Sequence, residues 1–154
     1  MKTLVTVLYF LLQITWGFPQ NLVGFVIFLW HIKDKHYLFH GSVITIWKGP
    51  NGGTSMSMGM FVFLDEYYIK EENARENPES QFNQVAVHEF GHSLQSLLLG
   101  PLYFFVISIP SGVWCNFKYF QNMRKDKKMS YYIFYPERWA NYWGEKITKM
   151  KAPK

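Results

Sequence analysis

Residues 4–30 form a nearly uncharged run, LVTVLYFLLQITWGFPQNLVGFVIFLW. Crossing the hydrocarbon core of a bilayer takes about 20 apolar residues of helix. The whole run suffices and neither half does so comfortably. Pro19-Gln20-Asn21 interrupts it and Gly24 follows, all natural turn or kink residues. The pattern therefore predicts a membrane anchor at 4–30, either one long kinked transmembrane helix or a hairpin of two shorter segments. A signal peptide would also place Lys2 before an apolar run. No small-residue cleavage site follows, however, and the apolar character continues through Leu22–Trp30. Polarity then changes. His31 to His40 carries Lys33 and Lys35 and reads as a loop, with His31, His36 and His40 as exposed loop histidines. Ser42–Trp47 is β-branched and reads as a strand, Gly49-Pro50-Asn51-Gly52-Gly53 as a turn, and Ser57–Leu64 as a second strand. The stretch 42–64 is thus predicted to be a β-hairpin.

Residues 65–84 are acidic and polar, an exposed connection. Asn77-Pro78-Glu79-Ser80 leads into a helix from about Gln81 to Leu99. Within it Val87, Phe90, Leu94, Leu97 and Leu98 make an apolar stripe, while His88, His92 and Gln95 share another face. Leu97 to Trp114 again contains no charge. Gly100-Pro101 and Pro110-Ser111-Gly112 should break it, which favours a re-entrant or bent pair over a straight span, provided protein covers the broken backbone. Lys118, Arg124, Lys125, Lys127 and Lys128 follow as a solvated loop. Tyr131 to Ile147 resumes an amphipathic helical pattern, with Pro136 near its start.

These elements predict a mainly α protein with a small β-hairpin, a membrane-associated helical fold in one domain spanning 1–154. Its parts are the anchor at 4–30, the hairpin and central helix at 36–99, the apolar re-entrant segment at 100–115 and the last helix at 131–147. Composition sharpens this. Aromatics make up 19% and charged residues only 18% of the 154 residues, a balance that suits a chain partly solvated by lipid. Mean hydropathy is only −0.09, so much of the chain must still meet water. One cysteine, Cys115, excludes an internal disulfide and suits a reducing compartment. The net charge of +5 points to an anionic membrane surface, because the basic residues flank the apolar runs. No nucleic-acid-binding motif is present, so the expected partners are a lipid bilayer and a substrate. The positive-inside tendency places Lys2, Lys33, Lys35, Lys118–Lys128 and the tail lysines in the cytoplasm, with both apolar regions entering and leaving on one side.

The chemistry is concentrated in His88-Glu89-Phe90-Gly91-His92, an H-E-x-x-H motif. On a helix, positions i and i+4 project from one face, so both imidazoles can reach one metal ion. Glu89 between them is placed to take a proton from water as general base. The alternative is a helix with two hydrogen-bonded histidines and an ordinary glutamate. A catalytic Zn²⁺ takes three protein ligands and keeps one position open. Glu137 is the leading third ligand, with Asn141 four residues on, suited to hydrogen-bond the far nitrogen of a ligating histidine. Asp65 and Glu66, at the end of the second strand, are the strongest rivals. Tyr131, Tyr132 and Tyr142 are candidate oxyanion donors, left unranked. The Ser57–Leu64 strand can pair with an extended peptide or simply pack on the metal helix.

His88-Glu89-Phe90-Gly91-His92 followed by Glu137-Arg138-Trp139-Ala140 resembles the gluzincin zinc metallopeptidases. His88–Gly100, Pro101–Ser111 and Tyr131–Asn141 are also similar to a group of small, uncharacterised bacterial membrane proteins. Those combine HExxHxxQS, LGPLY, a Pro-Ser break and a Glu-x-x-Ala helix. The resemblance implies a minimal zincin-like helix pair with His88, His92 and Glu137 on Zn²⁺ and Glu89 activating water. It further implies a peptide or protein substrate and a bacterial inner-membrane location with the active site on the cytoplasmic side. Many gluzincins carry Asp where this chain has Asn141, and the usual substrate-binding domain is absent. The competing expectation is a non-enzymatic membrane protein with a structural or degenerate zinc site.

Overall fold

A computed structural model describes residues 2–49, 53–69 and 76–154, with side chains from Val7 onward. The expected turn at 50–52 and part of the acidic connection, 70–75, lie outside the described residues. Two apolar helices open the chain, α1 (Lys2–Ile14) and α2 (Phe18–Trp30), and they meet at 91°. The break falls at 15–17, just ahead of Pro19 rather than at it. Pro19 occupies the first turn of α2, where its missing N–H is no loss. Both helices are inside out. Gln13, Gln20 and Asn21 are buried, while Leu8, Leu11, Leu12, Leu22, Phe25 and Leu29 are exposed.

The predicted 42–64 hairpin is corrected. Four strands form one mixed sheet in the order β1-β2-β4-β3. β1 (His36–Phe39) pairs antiparallel with β2 (Ser42–Trp47), so His36 lies in a strand and not in a loop. The two-residue turn between them, His40-Gly41, has positive φ at both positions, as a tight hairpin requires. The Ser57–Leu64 stretch is two strands, β3 (Met56–Met58) and β4 (Phe61–Asp65), paired antiparallel. Gly59 divides them: its φ is +63°, and Asn21 of α2 sits where a side chain would be. β4 then pairs parallel with β2 instead of returning beside it as a hairpin partner. Ile44, Ile46, Val62 and Leu64 pack on Phe82, Val85 and Ala86 of the next helix to form the core.

That helix, α3 (Gln81–Leu99), has the expected bounds. Ser80 caps it, its Oγ accepting from the Asn83 N–H at 3.2 Å. The apolar stripe is only half right. Val87 and Phe90 are buried, but Leu98 is 60% exposed, and the polar face bearing His88, Glu89, His92 and Gln95 points inward. Gly100, with φ +53°, ends α3. The chain then turns by 119° through a short 3₁₀ turn into a helix that begins with a π-turn at Phe104–Ser108 and continues as α4 (Ile109–Asn116). Pro110 therefore makes no break. It sits in the first turn of α4, where no N–H is needed.

The basic cluster is mostly helical, not a loop: α5 spans Lys118–Asp126. Arg124 donates to the Trp114 carbonyl, and its guanidinium lies 4.7 Å from the Trp114 ring centre. The last helix, α6 (Tyr135–Thr148), starts later than Tyr131, because 131–133 form a separate 3₁₀ turn. The fold is thus mainly helical with a small mixed sheet. No single described helix is long and apolar enough to cross a membrane, although the two bent pairs, α1–α2 and α3–α4, have the length and composition to do so together.

Candidate metal centre

The centre depends on how closely α3 and α6 approach. Gly91 of α3 lies against the backbone of Ala140, and Gly144 of α6 lies against Val87. A Cβ at either glycine would collide with backbone, so the two helices touch where each lacks a side chain. Glycine inside a helix costs roughly 1 kcal/mol relative to alanine. Here it brings the first turn of α6, with Glu137, onto the histidine face of α3.

His88, His92 and Glu137 converge there, all buried, their donor atoms within 4.8 Å of one another. Glu137 Oε2 is 3.1 Å from His88 Nε2 and 3.4 Å from His92 Nε2. Ligands about 2.0–2.1 Å from one ion in tetrahedral array are separated by about 3.3 Å, so these spacings suit a common metal. A second observation agrees. Glu137 Oε1 and Glu89 Oε2 are buried with no hydrogen-bond partner. Buried carboxylate oxygens are costly unless something compensates them. A buried His88–His92–Glu137 group able to hold a metal ion is therefore present.

The outer hydrogen bonds aim both imidazoles. Asn141 Oδ1 is 2.6 Å from His88 Nδ1, and Asn141 Nδ2 donates to the Pro153 carbonyl at 2.6 Å. The carbonyl oxygen of Pro153 can only accept, so the amide must turn its own oxygen to the histidine. Nδ1 of His88 then donates, and Nε2 keeps its lone pair for the metal. His92 is treated alike. Gln95 Oε1 is 2.7 Å from His92 Nδ1, and Gln95 Nε2 donates to the Pro136 carbonyl at 2.8 Å. Asn141 was readable from its spacing to Glu137. The helical pattern puts Gln95 on the histidine face but assigns it no partner. Its position three residues after His92 is the signal that could have identified its role.

The rivals for third ligand are occupied elsewhere. Asp65 Oδ2 accepts from Gly49 N at 2.9 Å and Oδ1 from Tyr67 N at 2.8 Å. Glu66 is exposed at the start of a 3₁₀ turn.

A cavity of about 470 Å³ opens beside the group, lined by Met56, Ser57, Glu89, Tyr103, Tyr131 and Tyr132 among others. The tyrosines separate. Tyr132 packs edge-on to His88 with ring centres 5.1 Å apart. Tyr142 is 54% exposed and belongs to a separate surface hollow with Tyr135, Arg138 and Trp139. Tyr103, absent from the sequence candidates, lines the cavity and directs its hydroxyl to the Ser57 carbonyl at 3.5 Å.

Charges in the group follow from burial and proximity. Burial raises the Glu89 carboxyl above its usual range, which the two histidines only partly offset. Burial alone would also raise Glu137, but hydrogen bonds from His88 and His92 outweigh it and hold that carboxyl far below the usual range. Burial disfavours charge on His92, yet the Glu137 hydrogen bond and charge, with Glu89 and Gln95, hold it at about 9. Burial chiefly raises the Tyr131 and Tyr132 hydroxyls, so both stay protonated donors near neutral pH. No protein-family model, curated protein or solved structure matches this chain.

Proposed function

We propose that the protein is a membrane-associated zinc metallopeptidase of minimal gluzincin type. The observation that carries this reading is the His88–His92–Glu137 group with Glu89 buried in the wall of the adjoining cavity. Three protein donors of N, N and O type suit zinc at a catalytic rather than a structural site, since structural sites are closed by four. No fourth His, Cys, Asp or Glu joins the group among the described residues. That favours the enzyme over a structural zinc site.

Zinc, when bound, supplies a Lewis acid that polarises a carbonyl and lowers the pKa of water. Glu89 takes the proton from water. Its raised pKa brings it toward the range where a carboxylate accepts and returns a proton efficiently. Tyr132, beside His88, and Tyr131 are the hydroxyls positioned to donate to a developing oxyanion. Tyr142 is dropped from that role. The edge strand β3 borders the cavity and offers backbone groups to an extended peptide. The inside-out surfaces of α1 and α2 support association with a bilayer, since exposed apolar area of this extent is rare on proteins surrounded by water.

Purified protein should bind about one zinc per chain. His88→Ala and His92→Ala should each lose most of it by elemental analysis, and unchanged metal content in both would remove the site. Glu89→Gln should keep zinc and lose peptide hydrolysis. Equal turnover by the zinc-loaded Glu89→Gln protein would sink the mechanism.

A further inference from the structure

We infer that the cavity takes an uncharged, extended segment of a polypeptide that is itself anchored in the membrane. This rests on the metallopeptidase reading and names its substrate class. The helix formed by 104–116 carries the inference, because it has two working faces. Ser108, Ser111, Gly112 and Cys115 line the cavity. Phe105, Ile109 and Val113 of the same helix point outward and are 70%, 55% and 38% exposed. A helix is only about 10–12 Å across with its side chains. One helix thickness therefore separates the metal cavity from an apolar outer surface. The cavity side of this helix is small, and a Cβ added at Gly112 would meet nothing within 4 Å, so space is left for an occupant.

The opposite wall leads to the same place. β3 supplies Met56, Ser57 and Met58 to the cavity. Its Met58 end abuts α2, where Gly24 lies against the Met58 carbonyl and Asn21 Oδ1 accepts from Met60 N at 2.8 Å. The outer surface of α2 is apolar and exposed. An extended chain laid along β3 thus enters or leaves beside the two apolar helices. Among the described residues the cavity lining contains no lysine or arginine, and its acids are Glu89 and Glu137. Such walls suit an apolar or neutral segment and disfavour a charged one, which would lose its hydration there.

The test uses the full-length protein in phosphatidylcholine–phosphatidylglycerol vesicles, supplied with zinc. The probe is a fluorescence-quenched peptide library of uncharged residues, made with and without a palmitoyl group at one end. The acylated library should be cut at least about tenfold faster, because anchoring raises its effective concentration at the cavity. Mass spectrometry should place the cuts at a constant distance from the acylated end whatever the local sequence. A second readout needs no turnover. Benzoylphenylalanine walked along the acylated peptide should crosslink zinc-loaded Glu89→Gln protein at 56–59 when next to the anchor, and at 53–55 when further away. Equal cutting of both libraries at positions unrelated to the acyl end, or crosslinks scattered outside the cavity, would overturn the substrate class and leave the peptidase standing. No cutting of either library would overturn both.

Discussion

Two neutral amides do the work that carboxylates often do beside a ligating histidine. Asn141 and Gln95 each present an oxygen to an imidazole because a proline carbonyl, of Pro153 or Pro136, holds their nitrogen. Loss of such a partner typically weakens metal affinity by roughly 10- to 100-fold. Asn141→Leu and Gln95→Leu should each do so in a competition titration with a chelating dye. Unchanged affinity in both would mean that the helices alone orient the rings. The charged state of the centre gives a second expectation at this scale. In the metal-free protein His92 is held at about 9, above its ordinary 6.5. A raised pKa contributes stability fully present below 6.5 and lost as pH rises through about 9. Glu89 pushes the same way, because its raised carboxyl pKa favours the fold while protonated and less once ionised. Glu137 acts oppositely, but its depressed pKa confines its loss to strong acid. The Tm of the metal-free protein should therefore fall as pH rises from 6.5 to about 9, and Glu137→Gln should flatten that fall. Zinc should reverse the slope, since metal competes with the proton on His92. A metal-free Tm that rises over this interval would contradict the assignment. His88, Glu89 and His92 are legible in the sequence because one helical turn relates them, and Asn141 because it stands at the same spacing from Glu137; that Glu137 meets the histidines depends on α3 packing on α6, which no spacing states. Gln95 carries a partial signal, its place three residues after His92, whereas the Pro136 carbonyl that turns its amide and the Ser57 carbonyl that meets Tyr103 lie 41 and 46 residues away.

Helices α3 and α6 make the site only because they touch through Gly91, Ala140 and Gly144. Gly91→Ala would force a methyl group into the Ala140 backbone. Overpacking of this kind costs about 1–3 kcal/mol, and the strain is relieved by moving the helices apart. The variant should lose thermal stability and also zinc affinity, although residue 91 touches no metal. A Gly91→Ala protein with wild-type zinc affinity would show that Glu137 reaches the histidines without this contact. The same level explains what pattern could and could not give. α3 was bounded correctly because Ser80 and Gly100 punctuate it. The sheet differs from the expected hairpin because strand type is local while pairing is not. Nothing in Ser42–Trp47 states that its neighbour is Phe61–Asp65 in parallel, and Gly59, within the stretch expected as one strand, takes the turn conformation with φ +63°. In α5 the charges of Lys118, Arg124, Lys125 and Asp126 suggest a loop, although Tyr119, Phe120 and Met123 stand at helical spacing. Arg124, held at Trp114, supplies the contact that pattern does not show.

Across the whole molecule the two bent helix pairs meet at their corners. Trp16 lies over Gly100, and Gln20, buried within α2, donates to the Gly100 carbonyl at 2.6 Å and the Ser96 carbonyl at 3.4 Å. The Ser96 carbonyl also accepts from the Gly100 N–H and the Gly100 carbonyl from the Tyr103 N–H, so Gln20 adds a second donor to each at the break. The Gln20 amide thus ties α2 to the end of α3 with protein donors alone, as a helix break set in hydrocarbon would require. The corner is apolar outside, with Trp16, Phe18, Leu98, Leu102 and Phe105 all at least half exposed. Charges gather at the far ends of the pairs, at Lys33 and Lys35 beyond α2 and from Lys118 onward beyond α4. We propose on this distribution that the joined corners insert into one leaflet, with the basic ends returning to the same surface, rather than as two independent spans. Spin labels placed singly at residues 16, 102 and 105, with Cys115→Ser as background, should be accessible to oxygen and shielded from a water-soluble nickel chelate in vesicles. Labels at Lys33 and Lys125 should show the reverse. An impermeant thiol reagent should reach Lys33→Cys and Lys125→Cys from one and the same side of the vesicle. Reaction from opposite sides would require one pair to cross the bilayer, and would leave the Gln20–Gly100 contact without the role assigned to it.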